Sequence, residues 1–591
     1  MKKIYLLALT TVFALTGCND FLDSENYTGK DSRNFPTSEQ DVTQMVSAVY
    51  AASFNSPLLG NDVSPYFYFA NLAADDQLGG GSESTDKSTT ALDFMMYNKD
   101  TDGEAQWTAC YSAIARANSA LASIDNVANE ELRNQTKGEL QVLRAYNYFI
   151  LAQMFGNVPM LDSAPDNIDE ANIAPTQVKA EEIYKKIASD LYNATEIMPA
   201  YKYGSGSMQY GHVTRWAAEA LLARAFLFYT GFYEKSTMPT DEANNVPAEI
   251  TKAMVVEKLE DCIKNSGHGL VADYRSLWAY ANAKTKYNEV TSANDIACAT
   301  GCPTNWNDDN VENVMSIAFT YLSEWSGTQL HLTNQYALFC GIRSTSGSDD
   351  KKYDKGTPGS VYPFGTGWGV GPVSASLVSD WKAAEPNDPR RDYSILTKPD
   401  DYDYTNESEQ MQATPYHQKK VCAVRSEGFY TFGAEQFGSG ETGHFQASHP
   451  QDLILIRFAD ILLMHSELTE TTDGINQVRA RVGLPPIAGY SLQALQNERR
   501  WELAFEGLRW GDIRRWHIAP QCLDKQLGQA IYNNNSSTPT TNTPQGGGYS
   551  ARYNATQGFF RIPQTQIDLS AGAYVQNAGW EGTSGRYTGW Q

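Results

Sequence analysis

Three glutamates, Glu498, Glu502 and Glu506, recur every four residues, and a pair of carboxylates is the machinery of glycoside hydrolysis. On a helix this spacing lines all three along one side, where like charges repel. Arg499, Arg500 and Arg509 stand nearby in sequence, and guanidinium forms bidentate pairs with carboxylate. Trp501, Phe505 and Leu508 make an apolar stripe beside them. Charges compensated in this way read as packing, so the block is expected to hold the fold. Arg457 and Asp460 are expected in similar helix–helix pairs. No Gly-x-Ser-x-Gly, His-Glu-x-x-His or Walker loop occurs. Residues 365–371 are glycine-rich, but they contain Trp368 and open no strand–helix unit, so no nucleotide is expected. Residues 98–103 mimic the start of a calcium loop, yet the twelfth position is Ala109 where a bidentate Glu is required. The start of a helix ahead of Trp107 is the better reading. Neither cofactor, metal nor enzyme activity is expected. The 69 acidic residues still offer chance carboxylate pairs, which keeps a surface glycoside hydrolase as an alternative.

A second chemistry fits the composition better. Aromatic residues make up 12% of the chain, with 34 Tyr and 12 Trp. Sugar rings present apolar C–H faces to flat aromatic rings, while Asp, Asn, Gln and Arg hydrogen-bond the hydroxyls. The expected platform is Trp306 and Trp325, with Trp278, Tyr280 and Trp368 in support. Trp306 is flanked by Asn305, Asn307, Asp308 and Asp309, and Trp325 by Ser323, Glu324, Ser326 and Gly327. Tyr66, Tyr68, Asp75 and Asp76 form a second candidate group. Burial in the loop core is the competing reading for each aromatic residue. The net charge of −23 argues against nucleic acid and against an anionic membrane face.

The N-terminus bears on compartment. Lys2 and Lys3 precede an apolar stretch, residues 4–15, too short to span a bilayer. It ends in Leu15-Thr16-Gly17-Cys18, which resembles a lipobox with Cys18 as the lipidated residue. The expected organisation is a signal peptide over 1–17, a lipidated acidic tether over 18–38 and a single domain over 39–591. Of the other cysteines, Cys298 and Cys302 are close enough for a small disulfide loop. A zinc site would want a second close pair.

The elements that must position these groups are mostly helical. Apolar residues at three- and four-residue spacing mark helices over 106–124, 140–155, 183–197 and 214–233. Two more are expected near 453–468 and 492–505. Paired amphipathic helices of this kind resemble tetratricopeptide units, although no strict repeat of about 34 residues is visible. A helical scaffold is thus expected over about 104–266 and 451–516. Between about 267 and 450 the chain turns rich in Gly, Ser, Asn, Tyr and Trp, and periodicity fades. So long an irregular stretch usually carries function.

Four places then match one family. They are Leu455-Ile456-Arg457-Phe458-Ala459-Asp460-Ile461, Val478-Arg479-Ala480-Arg481-Val482-Gly483-Leu484-Pro485, the Glu498–Trp516 block with Trp501-Glu502-Leu503-Ala504-Phe505-Glu506-Gly507, and the closing Ile562-Pro563 with Gln576-Asn577-Ala578-Gly579-Trp580. Leu143-Arg144-Ala145-Tyr146 and the helix around Trp216 also fit. The chain resembles the SusD/RagB family of nutrient-binding outer-membrane lipoproteins. His465, where the family often has Tyr, and a short 469–474 loop are small departures that touch only helix packing. The resemblance implies a mainly α, SusD-like fold with four tetratricopeptide-like helix pairs and a large loop-rich ligand-binding half. It implies capture of an oligosaccharide at the outer membrane, with a SusC-like TonB-dependent transporter as partner. A lid or scaffold for a non-sugar nutrient such as a peptide is the alternative. Family ligand contacts occupy no fixed motif, so none is carried over by position.

Overall fold

The structure is a computed structural model and describes residues 35–36, 38–54, 66–163, 175–207, 210–241, 246–278, 310–319, 332–343, 366–397, 409–422, 449, 451–534 and 536–590. Its early helices are α1 (Glu39–Phe54), α2 (Tyr66–Leu72), α3 (Lys87–Asp93), α4 (Glu104–Ser123), α5 (Glu130–Phe155), α6 (Ala180–Ile197), α7 (Arg215–Phe232) and α8 (Lys252–Asn265). The shorter α9 (Gln335–Cys340), α10 (Ala375–Ala384) and α11 (Pro389–Ser394) follow. Next come α12 (Phe458–Thr469), α13 (Asp473–Arg481), α14 (Leu492–Glu502) and α15 (Arg509–Arg515).

Eight of these helices lie side by side. α1 packs on α4, α4 on α5, α5 on α6, α6 on α7, α7 on α8, α8 on α12 and α12 on α13. Taken two at a time they are four successive pairs, so the mainly α scaffold expected from the sequence is present. No helix among the described residues is long and apolar enough to cross a membrane.

The helix starts have local causes. Thr214 caps α7 by accepting from Ala217 N, and Asn129 caps α5 by accepting from Leu132 N. Ahead of α4, the Asp102 carboxylate accepts from Asn98 N at 2.7 Å and from Ser88 Oγ at 2.8 Å. The calcium-like stretch is therefore a turn leading into a helix. α5 begins ten residues before the expected 140, because its first turns are polar and carry no apolar stripe. Gly138 sits in that polar part, where a Cβ would overlap the side chain of Met198. Glycine there lets Met198, at the end of α6, press against the helix.

The helix expected over 453–468 is corrected in its first turn. Leu453–Arg457 is a strand that pairs antiparallel with Asn313–Ile317, and the helix starts at Phe458. All five strand residues are buried. A short, fully buried apolar run has no period that separates strand from helix. The helix expected over 492–505 likewise stops at Glu502, and Phe505 takes a left-handed φ of 66°.

Candidate functional site

The spaced carboxylates lie inside the protein. Glu498 and Glu502 project from α14, and Glu506 follows after the turn at Phe505. All three are buried. Arg390 Nη1 lies 2.6 Å from Glu498 and 2.8 Å from Glu502. Arg457 reaches Glu502 at 2.6 Å and Glu506 at 2.7 Å. Arg479 adds a contact to Glu498 at 3.1 Å, Arg481 pairs with Glu502, and Lys420 Nζ lies 2.7 Å from Glu506. The structural role expected for the block is therefore present, but the partners differ from those suggested by spacing. Arg499 bridges Asp460 and Asp512, while Arg500 joins Asp76 and Asp380. Arg509 pairs with Asp75 at 2.7 Å. Residues one and two positions apart on a helix face different ways, so Arg499 and Arg500 cannot turn back to Glu498.

Burial by itself would raise the Glu502 carboxyl, yet Arg481, Arg457 and Arg390 hold it well below the ordinary range. Burial pulls the Lys420 ammonium down to about 8 against the attraction of Glu506. A saturated and enclosed carboxylate has neither room for substrate nor a proton to give.

Two of the expected ligand residues, Trp278 and Asp76, belong to this interior, and Tyr66 is half-buried against it. Trp278 is 5% exposed, with Lys420 Nζ 4.6 Å from its ring centre and the Arg457 guanidinium 5.5 Å away. Asp76 is buried and receives Arg500 Nε at 2.8 Å. Tyr66 stands at the first turn of α2, where its hydroxyl donates to Gln153 Oε1 at 2.5 Å. These placements correct the expectation: the polar company of Trp278 is a buried ion network, and the Tyr66–Asp76 stretch is a packed helix and the turn after it. Tyr280, Trp306, Asp308, Asp309 and Trp325 lie outside the described residues, as do Cys18, Cys298 and Cys302.

Trp368 is different. It is half-buried, and its ring meets Phe339 edge-on at 4.6 Å. Its backbone is clamped: Trp368 N donates to Leu338 O at 2.9 Å, and its carbonyl accepts from Arg343 Nη1 at 3.1 Å. The two-residue strands Ile342–Arg343 and Thr366–Gly367 run parallel just ahead of it. There Gly341 and Gly367 approach so closely that a Cβ on either would collide with the other's backbone. Gly367 thus serves close backbone contact.

Polar groups from distant segments gather on the same junction. Ser84 Oγ donates to Glu409 Oε2 at 2.8 Å, and Ser82 Oγ to the same oxygen at 3.1 Å. These hydroxyls, Ser84 first, lower the Glu409 carboxyl below its ordinary value. Arg343 lies 3.9 Å from Asp86, itself raised by burial. Gly81 N donates to Gly369 O at 3.0 Å, and Glu83 N to Glu409 O at 3.1 Å, which ties the three segments together. A half-buried indole, a guanidinium, the exposed Ser84 hydroxyl and an ionised carboxylate on a fixed backbone can stack a ring and hydrogen-bond its substituents. The sequence expectation names Trp368 and does not name Arg343, Ser84 or Glu409. Those residues sit in unrelated stretches, and only the fold brings them together.

Comparison with known proteins agrees with this architecture. Two family profiles match, one described as "SusD family" over residues 342–580 and one as "Starch-binding associating with outer membrane" over residues 20–227. SusD-like protein P2 of Formosa agariphila is 22% identical over 564 residues, covering 92% of this chain and 94% of its own. The solved "Laminarin binding SusD-like protein" superposes with a TM-score of 0.66 at 22% identity, over 92% of this chain and 99% of that one. Surface glycan-binding protein A from Bacteroides thetaiotaomicron, solved with laminarihexaose, gives 0.65 at 18% identity, over 91% and 99% of the two chains. With matches reaching from residue 20 to residue 580 and the four helix pairs in place, the chain belongs to the SusD/RagB family.

Proposed function

We propose that this chain is a glycan-binding lipoprotein of the outer membrane that captures oligosaccharides and hands them to a SusC-like TonB-dependent transporter. The observation that carries the reading is the Trp368 junction, a half-buried indole whose backbone carbonyl accepts from Arg343 and whose segment is tied through Gly369 and Gly81 to the one that carries Ser84, itself bonded to Glu409. The fold it shares with glycan-binding relatives supports the same reading. The titles of two solved relatives name laminarin and laminarihexaose, and one matching profile is described as starch-binding. The outer membrane is proposed from that profile's description and from the lipobox ending at Cys18. The transporter is proposed from family membership.

Binding is the proposed role, without hydrolysis. The three spaced carboxylates are saturated by cations, and Glu409 is held by serine hydroxyls. A shallow platform exchanges water hydrogen bonds for protein ones with modest gain. Affinities in the micromolar to millimolar range, roughly 4–8 kcal/mol, are expected. The test is a glycan array on the purified chain, followed by calorimetry of the best hit against Trp368→Ala, Trp306→Ala and Trp325→Ala. Loss of about tenfold or more in at least one folded variant supports the platform. Binding of peptides but of no glycan would favour the non-sugar nutrient.

A further inference from the structure

A cavity of about 290 Å³ lies between the segment that leads into α7 and the strand Asn313–Ile317. It shares no lining residue with the Trp368 junction. Tyr203 and Tyr210 line it, and Val314 and Met315 of the strand add buried apolar surface. No Asp, Glu, Lys or Arg lines it among the described residues.

Tyr210 is 51% exposed, although a ring of that size gains by burial. The ring is nevertheless anchored. Its hydroxyl donates to Asp452 Oδ2, and that carboxylate, 8% exposed, also accepts from Ser316 Oγ at 3.1 Å and from Phe319 N at 3.3 Å. Asp452 directly precedes the fully buried strand Leu453–Arg457. An exposed ring tied in this way has already lost rotamer freedom, so a ligand that stacks on it is spared that cost. Tyr203 is held too. Its N donates to Ser266 O at 2.8 Å, and its ring centre lies 5.1 Å from that of His268.

Between the two tyrosines, Gly204 and Gly206 take left-handed φ of 75° and 79°, and nothing stands within 4 Å of where a Cβ would be. Glycine suits that conformation, and without a side chain it leaves the peptide groups reachable. Ser316 adds a hydroxyl and His212 an imidazole. His212 Nδ1 lies 2.9 Å from Glu139, which leaves Nε2 for another partner.

A charged ligand would find no counter-charge in this lining, and an uncompensated charge is costly to enclose. A wholly apolar ligand would strip water from the hydroxyl, imidazole and peptide groups without replacing it. A sugar ring meets both demands, because its C–H face covers a tyrosine while its hydroxyls donate and accept. We propose that this cavity is a second glycan site, in which a neutral pyranose ring stacks on Tyr210 and its hydroxyls meet His212, Ser316 and the peptide groups around Gly204 and Gly206. The choice of a glycan rests on the function proposed above, whereas the site uses no residue of the Trp368 junction.

The test is hydroxyl-radical footprinting of the full chain, read residue by residue by mass spectrometry. Laminarihexaose and maltohexaose are the neutral probes, and glucuronate is the charged one. Leu569 and Val575, both exposed, are internal references for radical scavenging by the sugars. Relative to them, oxidation of Tyr210 should fall severalfold with at least one hexasaccharide and stay level with glucuronate. Equal oxidation with and without both hexasaccharides up to about 10 mM, beyond the affinity range of a shallow site, would overturn the proposal. Equal shielding by glucuronate would overturn it as well. Tyr203 should be shielded together with Tyr210, and Tyr210→Ala, at an exposed position, should abolish that shielding while the fold persists. Shielding of Tyr203 that survives the substitution would refute stacking on Tyr210. Trp368→Ala should leave the Tyr210 footprint in place, and its loss there would refute a separate site. The Trp368 platform is judged by calorimetry of its own variant, so the two proposals fail independently.

Discussion

Arg457 Nη1 stands 2.6 Å from Glu502 Oε1, with the arginine side chain 1% and the glutamate side chain 0% exposed. The same guanidinium donates through Nη2 to the Glu502 carbonyl at 2.7 Å and through Nε to Glu506 at 2.7 Å. Arg457 ends a strand, Glu502 ends a helix, and Lys420, in contact with Glu506 and Trp278, comes from the loop-rich half. One buried cluster thus joins the helical scaffold to the segments that carry the candidate platform.

Replacing Glu502 by Gln should destabilise the protein by about 3–5 kcal/mol, because it leaves buried guanidinium groups without their shared partner. Sugar affinity in the folded fraction should not change. Glu502 also gives a pH signature. Its folded value lies well below the ordinary 4.5, so its contribution is present above pH 4.5 and is lost as pH falls through the depressed folded value. Denaturant melts between pH 3 and pH 7, about the range in which carboxylates titrate, should show a shallower acid loss in Glu502→Gln. A variant of full stability that no longer binds glycan would reverse the structural assignment.

Lys420 should act at the other end of the pH scale. Its folded value of about 8 lies below the ordinary 10.5, so in that window the unfolded chain holds a proton that the native chain has released. Stability from this group therefore rises with pH across the window, by up to about 1.4 kcal/mol per unit. The rise should be absent in Lys420→Met. Parallel stability curves for the two proteins would refute the assignment.

Trp501 and Trp381 stack with ring centres 5.2 Å apart and planes 14° from parallel. Both are buried, in a satellite core with Val373, Leu377 and Phe505. Trp501→Ala should cost about 3–5 kcal/mol through lost burial and the cavity left behind. Thermal melts would show the drop. Trp501→Phe should recover part of it by keeping a ring against Trp381.

Cys18→Ala should release the protein from membranes while leaving thermal stability unchanged, as expected for a tether outside the core. Fractionation and mapping of the mature N-terminus provide the check, and a mature chain that begins elsewhere would exclude the lipidation proposal. Co-purification of the parent from native membranes should bring down a TonB-dependent transporter, whereas consistent isolation alone would count against that partner.

The helical scaffold is legible in the sequence, because apolar spacing at 3.6 residues is local and survives without knowledge of neighbours. α7 runs over Arg215–Phe232 with Thr214 as its cap, close to the span its pattern implies. The same local logic identified the turn before α4 and read the Glu498–Glu506 block as packing. It failed where the run was short and apolar, as at Leu453–Ile456, since burial on every side erases the period. It failed again for charge partners. Glu498 and Arg499 are neighbours in the chain, yet Glu498 meets Arg390 across 108 positions and Arg499 meets Asp460 across 39. These pairings depend on the packing of distant segments, because a helix turns adjacent residues about 100° apart and a long guanidinium finds whatever carboxylate its face meets. The same reason separates Trp278 from Trp368. Both are tryptophans in polar, loop-like sequence, but the first is enclosed by Lys420 and Arg457 and the second is held at the edge of the core by Phe339 and the Gly341–Gly367 contact.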